Sequence, residues 1–224
     1  FDFVERDAIS DLNKVFLGPR TIEDGVYSIE CCASANLALD IYYGRTANGT
    51  NVALWNKGSS INQKYYVMFE PVDGDQGYYT VQALCSGKVL AVSGDGSTRG
   101  SSVVQWEDNA TPNMRWIIRP ESGGGYSLAS SDGGLVLDVA GDIPNAGSDV
   151  VVWERTGSQK QWFSFSHERV VEDGYYAIHP QLRSDLTVAI NGSSNAQGAN
   201  TVLSSDATQF ASKYHFLSND DGTY

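Results

Sequence analysis

The sequence predicts an all-β protein built from one four-stranded unit used four times. Three observations predict it. A fixed register runs along the chain: Asp40, Gly49, Trp55, Tyr65; Ala91, Gly100, Trp106, Trp116; Asp138, Gly147, Trp153, Phe163; Ala189, Gly198, Ser204, Tyr214. The offsets of 9, 15 and 25 residues are the same in all four, and a period near fifty residues marks one supersecondary unit repeated. Glycine supplies 23 of 224 residues, above the usual ~7%, as a turn-rich β protein needs. Short runs rich in β-branched and aromatic residues stand between the turns. Only Ala8 to Phe16 has a helical pattern, with Ile9, Leu12, Val15 and Phe16 at helical offsets.

Each unit opens with a turn and a tyrosine: Asp24-Gly25-Val26-Tyr27, Gly77-Tyr78-Tyr79, Gly124-Gly125-Tyr126 and Asp173-Gly174-Tyr175-Tyr176. Asp-Gly is expected to supply the positive φ of a tight turn. A first strand follows, as in Tyr27-Ser28-Ile29. The second strand is a triplet: Leu39-Asp40-Ile41, Leu90-Ala91-Val92, Leu137-Asp138-Val139, Val188-Ala189-Ile190. Side chains alternate on a strand, so the outer two go to the core and Asp40 and Asp138 point outward. A polar, Gly-rich loop leads to the third strand, Asn51 to Trp55 in the first unit. The fourth strand carries the second aromatic at Tyr65, Trp116, Phe163 and Tyr214, which reads as core because it persists in every unit.

Hydrophobic residues make up 41% of the chain, enough for a core, and the formal net charge is −12. Binding phosphates needs clustered Lys and Arg, so neither nucleic acid nor an anionic membrane is an expected partner. No apolar stretch approaches the roughly 18 residues of a membrane span, and no membrane insertion is expected. Three cysteines, Cys31, Cys32 and Cys85, cannot all pair; one bridge to Cys85 and three free thiols both remain open. His167, His179 and His215 have no nucleophile at a suggestive spacing, so no catalytic residue is expected and the chain reads as noncatalytic. Asp73, Asp75, Asp142 and Asp149 match no calcium-loop spacing; neither metal nor cofactor is expected. Asn48, Asn109 and Asn191 head glycosylation triplets. Phe1-Asp2-Phe3 resembles the close of a unit and Asp221-Gly222-Thr223-Tyr224 the opening of one. The expectation is a piece of a longer array.

Units with an outward Asp in a Leu-Asp-Val triplet and a late Gln-x-aromatic element resemble the ricin-type lectins. The late element is clearest as Gln63-Lys64-Tyr65 and Gln161-Trp162-Phe163 and is altered to Met114-Arg115-Trp116 and Ser212-Lys213-Tyr214. The resemblance covers residues 23–218. It implies a β-trefoil, in which three units close a barrel capped by hairpins, with a sugar site available in each unit. Its site set is the triplet Asp, the first aromatic, and the Asn-Gln pair before the second aromatic. Such a set suits a sugar: an aromatic covers the CH face, a carboxylate accepts from hydroxyls, and an amide both donates and accepts.

Carried over, the first unit has Asp40, Trp55, Asn62 and Gln63; Ala53 stands where the family often has a further Gln. The third has Asp138, Trp153 and Gln161, with Lys160 in place of the Asn and Val151 in place of the other Gln. The second keeps Trp106 and Asn113 but has Ala91 and Met114, and no sugar is expected there. The fourth has Ala189, Ser204, Ala211 and Ser212 and reads as structural. The Asp-or-Ala split tracks the Gln, which favours function over a turn role for the Asp.

The expected organisation is a linker or end of a preceding unit at 1–22, a β-trefoil at 23–168 (repeats 23–74, 75–122, 123–168), and a fourth repeat at 169–224 starting a second trefoil. The alternative phase groups units two to four. The resemblance implies a noncatalytic carbohydrate-binding module of a larger secreted or cell-surface protein. Its expected partners are galactosides or other pyranosides, further repeats, and catalytic domains of the parent chain. The rival is a structural or protein-interaction scaffold that binds no sugar.

Overall fold

Residues 16–94, 98–168, 174–179, 185–190, 199–205 and 214–216 are described in a computed structural model. They fall into two units, within 1–168 and 169–224. The helical pattern up to Val15, both chain ends, Asn191, Gly198, Ala211 and Ser212 lie outside the described residues.

In the first unit, a two-residue strand β1 (Gly18–Pro19) precedes three sets of four strands. These are β2 (Gly25–Cys31), β3 (Leu37–Ile41), β4 (Thr50–Asn56) and β5 (Tyr65–Asp73); then β6 (Gln76–Ala83), β7 (Val89–Val92), β8 (Val103–Trp106) and β9 (Trp116–Pro120); then β10 (Tyr126–Ser130), β11 (Val136–Val139), β12 (Val150–Trp153) and β13 (Phe163–His167). Antiparallel pairs β2–β5, β5–β6, β6–β9, β9–β10, β10–β13 and β13–β2 close a six-stranded barrel. Six others form three hairpins, β3–β4, β7–β8 and β11–β12, and β1 pairs with β6. A barrel of six strands with three hairpins is a β-trefoil. Closure removes the exposed sheet edges that an open sheet would carry.

The second aromatic of the register explains why the ends of each repeat meet. Tyr27 pairs with Tyr65, Tyr79 with Trp116, and Tyr126 with Phe163. Tyr65, Tyr79, Trp116 and Phe163 are fully buried, with Ile29, Leu39, Leu54, Leu90, Ile118, Leu128 and Leu137 around them. Each such aliphatic side chain contributes about 1.5–3 kcal/mol by leaving water. Glu168 ties the end of the third repeat to the first, accepting from Ser28 Oγ at 2.8 Å and Lys64 Nζ at 2.7 Å.

The register glycines form a cyclic clasp between repeats. Gly49 N donates to Gln105 O at 2.9 Å, Gly100 N to Val152 O at 2.8 Å, and Gly147 N to Leu54 O at 2.7 Å. Each acceptor precedes a register tryptophan, and each glycine lies against that indole: Gly49 on Trp106, Gly100 on Trp153, Gly147 on Trp55. Their φ values of 78°, 84° and 94° fall where only glycine is comfortable. The clasp runs from repeat one to two, two to three, and three back to one.

The opening turns differ from the sequence reading. Gly25, in the Asp-Gly that opens the first repeat, does not have positive φ, whereas Gly124 and Gly125 at the opening of the third do. Glycine is needed at Gly77 for close approach, since a Cβ there would overlap the Glu70 carbonyl oxygen, while a Cβ on Gly25 would meet the tip of the His167 ring. The three cysteines are unbridged. No helix among the described residues is long and apolar enough to cross a membrane.

The second unit contains β14 (Gly174–Tyr176), β15 (Thr187–Ile190), β16 (Thr201–Ser204) and β17 (Tyr214–Phe216). Its registers repeat those of the trefoil. Tyr176 pairs with Tyr214 as Tyr27 does with Tyr65, and Ala189 pairs with Val202 as Asp138 does with Val151.

Candidate functional site

Asp40 sits mid-strand in β3, opposite Ala53 of β4. Two residues on, Trp55 alternates back to the face of Ala53, so indole and carboxylate share one side of the hairpin. The Asn62-Gln63 pair arrives on a 3-10 turn, Ile61–Gln63. Gln63 Nε2 donates to Asp40 Oδ2 at 2.8 Å and to Asn56 O at 3.0 Å, and Gln63 Oε1 accepts from Gly58 N at 2.8 Å. Asn62 Nδ2 donates to Asp40 Oδ1 at 2.8 Å and to Ile41 O at 3.2 Å. Burial pushes the Asp40 carboxyl above the ordinary carboxylate range, with the amide donors of Gln63 and Asn62 pulling it back.

The third repeat builds the same arrangement with one change. Gln161, on the turn Gln159–Gln161, donates through Nε2 to Asp138 Oδ2 and Glu154 O, both at 2.8 Å, and its Oε1 accepts from Thr156 N at 2.8 Å. Lys160 cannot copy Asn62. Its Nζ donates to the Gly141 carbonyl instead, and the buried Asp138 Oδ1 has no hydrogen-bond donor.

Asp40 and Asp138 leave the apolar core as the alternation predicts, but they are not exposed. They lie 7% and 8% accessible beneath the amides that hold them. Gln63 and Gln161 are also buried, and the hydrogen bonds of each carboxamide go to the chain itself. They aim the carboxylate rather than present a free amide.

This geometry corrects one argument from sequence. Gln follows Asp because the two are hydrogen-bonded, and a buried amide without its acceptor would be costly. In the second repeat the pair is exchanged as a unit: Ala91 and Met114 are buried with Val89 and Val104 in a small apolar cluster. Co-occurrence of Asp and Gln is therefore explained by packing, and is not itself a sign of ligand binding. The position before the Gln has a shared scaffold role too. Asn62 and Asn113 donate to the carbonyl of the last triplet residue, Ile41 and Val92, and Lys160 to the Gly141 carbonyl two residues past the triplet.

The tryptophans are half-exposed wall residues. Trp55, Trp106 and Trp153 are 42%, 41% and 37% exposed, while one edge of each covers a clasp glycine. The clasp accounts for Trp106 without an Asp. In the third repeat the Arg99 guanidinium stands 4.8 Å from the centre of the Trp153 ring.

Sequence reading missed residues that reach each face from another repeat. Ala53 is bridged by Asp149, Val104 by Asn51, and Val151 by Ser102. In the second repeat these residues meet in a cleft of about 470 Å³, lined by Asn51, Ala91, Val104, Trp106, Asn113 and Met114 among others. It also missed Tyr42 and Tyr43, exposed on the turn after Asp40, with Tyr43 at φ 54°. Asn51, Ser102 and Asp149 share the offset of 11 from the triplet centre, a signal that acquires meaning only once the strand order is known.

Residues 61–153 match the family described as ricin-type β-trefoil lectin domain-like. No curated protein matches the sequence. Among solved structures, a designed threefold symmetric protein, ThreeFoil, is 28% identical with a TM-score of 0.58, over 63% of this chain and 98% of that one. The Rhizoctonia solani agglutinin is 20% identical with a TM-score of 0.58, over 67% of this chain and all of the other. An exo-β-1,3-galactanase from Clostridium thermocellum is 25% identical with a TM-score of 0.59, over 66% of this chain but 31% of the enzyme.

Proposed function

We propose that this chain, of which residues 61–153 match a ricin-type β-trefoil lectin-like family, is a noncatalytic carbohydrate-binding module with two sites, centred on Asp40 and Asp138. One observation carries the reading. At both positions a carboxylate held by a buried amide shares its face with a half-exposed tryptophan. A pyranose stacks its CH face on such an indole while its hydroxyls donate to the carboxylate. In this reading Asp40, Trp55, Asp138 and Trp153 touch the sugar, Gln63 and Gln161 position the carboxylates, and Asn62 and Lys160 hold the adjoining loop. Asp138 Oδ1 is the acceptor most in need of a donor.

The sugar class is a galactose-type or related pyranoside, a direction supported by the match to part of a galactanase. A single shallow site binds on the order of millimolar, and two sites on one rigid trefoil gain by avidity on a multivalent glycan. The parent protein is a secreted or surface protein, with the residues after 168 opening a second trefoil. A glycan array with wild type, Asp40→Ala, Asp138→Ala and the double variant tests this. Each single variant is expected to weaken binding to multivalent galactosides, and the double to abolish it. Wild type binding no glycan would favour the second reading, a protein-interaction scaffold. That reading draws support from the packing explanation of the Asp-Gln pairs.

A further inference from the structure

Each site face is crossed by a row of three directly opposed residues, the last drawn from a different repeat. The rows are Asp40–Ala53–Asp149, Ala91–Val104–Asn51 and Asp138–Val151–Ser102. Opposed residues of an antiparallel pair project to the same face. The third member therefore joins the face that carries the Asp or Ala, and in the second repeat Asn51 does line the cleft beside Ala91 and Trp106.

We propose that Asp149 is a ligand-contacting residue that sets the specificity of the Asp40 site, making it a two-carboxylate cleft for neutral pyranosides built across the boundary of the third and first repeats. Neighbouring strands lie about 4.8 Å apart. Asp40 and Asp149, two strands apart, thus stand on either side of the small, buried methyl of Ala53. A pyranose over that methyl presents hydroxyl donors to both carboxylates. A larger middle residue would stand between them, so the Ala53 that left the site one contact short in sequence is what admits the second carboxylate. Asp149 is exposed, and its carboxylate makes no hydrogen bond or ion pair among the described residues. It also stands close to the aromatic turn: the Tyr42 phenol is held above its usual range chiefly by its hydrogen bond with Tyr43, and the Asp149 charge adds to that. The cation of this turn, Arg45, is engaged by both rings, 5.9 Å from the centre of Tyr42 and 5.8 Å from that of Tyr43. Two carboxylates repel a carboxylated or sulfated sugar. The third row has the neutral Ser102 in this place, so the Asp138 site lacks the second carboxylate.

The proposal rests on the carbohydrate-binding reading, and its test separates the two. In an Asp138→Ala background, where only the Asp40 site reports, methyl β-galactoside and galacturonate are titrated by heteronuclear NMR against Asp149, Asp149→Asn and Asp149→Ser chains. The expected result is galactoside binding weakened on the order of tenfold by either substitution, the worth of one hydrogen bond to a charged group. Galacturonate binding should be absent from the parent and gained in Asp149→Ser. The converse graft, Ser102→Asp together with Val151→Ala in an Asp40→Ala background, should tighten galactoside and exclude galacturonate at the Asp138 site. If the parent binds galactoside and the Asp149 variants bind both sugars as it does, the inference falls while the lectin reading stands. If neither wild type nor parent binds either sugar, both fall.

Discussion

Gln161 Nε2 donates to Asp138 Oδ2 at 2.8 Å, the bond that Gln63 makes to Asp40, yet the other oxygen of Asp138 is buried with no donor. The cause lies one residue away. Asn62 reaches Asp40 Oδ1, whereas the longer Lys160 passes the carboxylate and ends on Gly141 O. Lys160→Asn should therefore restore the missing donor. A satisfied buried acceptor is worth about 1 kcal/mol, which raises the melting midpoint of a domain this size by about 2–4 °C. Thermal unfolding followed by circular dichroism checks it, and an unchanged or lower midpoint would show that Oδ1 gains nothing from an amide.

The exchange of Asp-Gln for Ala-Met between repeats makes a second expectation. Gln63→Met alone strands Asp40 Oδ2, and Asp40→Ala alone strands the Gln63 amide; each should cost about 1–3 kcal/mol. The double variant copies the second repeat, where Ala91 and Met114 pack together. It should recover much of the loss, giving a coupling energy between about 1 and 3 kcal/mol in a urea double-mutant cycle. Additive losses would mean the pair is not a unit.

Much of this architecture was legible in the register. The offsets of 9, 15 and 25 correspond to the clasp glycine, the wall tryptophan and the core aromatic. These positions are fixed by contacts that each repeat makes in the same way, so spacing reveals them. Asp149 and Asn51 were not legible as site residues. Their relation to Ala53 and Val104 is one strand across and one repeat away, which depends on how the barrel closes. The burial of Gln63 was hidden for a similar reason: its partners Asn56 O and Gly58 N are backbone groups, invisible to a reading of side-chain types. The need for glycine at Gly77 was hidden too, because the approach of Glu70 O across β5–β6 leaves no trace in local sequence.

The scaffold contact of the tryptophans and the sugar contact proposed for two of them separate by substitution. Trp106→Ala removes an indole that covers Gly49 in a repeat whose triplet centre is Ala91 instead of Asp. It should cost about 2 kcal/mol, less than a fully buried tryptophan, and leave sugar binding at Asp40 and Asp138 unchanged. Trp55→Ala should cost a similar amount through Gly147 and also abolish binding at Asp40. Urea unfolding and galactoside titration on both variants decide it; equal loss of binding in the two would place the tryptophans in the scaffold alone.

Acidification should act on Asp40 in opposite directions for binding and for folding. Burial raises its folded carboxyl above the ordinary 3.8, against the pull of Gln63 and Asn62. Sugar binding needs the carboxylate, so in an Asp138→Ala background it is lost as pH falls through that raised value, earlier than for an exposed aspartate. For folding the sign reverses. A carboxyl with a raised folded pKa contributes most stability below its unfolded pKa, and that contribution is lost as pH rises through the folded value. Glu168 works the other way: burial pushes its carboxyl up, but donors from Lys64 and Ser28 outweigh this and hold it low, so its contribution is lost on acidification. Asp40 is isolated by the difference between wild type and Asp40→Asn, measured from about pH 3 to 6. The wild type should gain stability relative to Asp40→Asn as pH falls across that window, while its galactoside affinity declines. A difference that is flat with pH would mean that the amide donors fully offset the burial of Asp40.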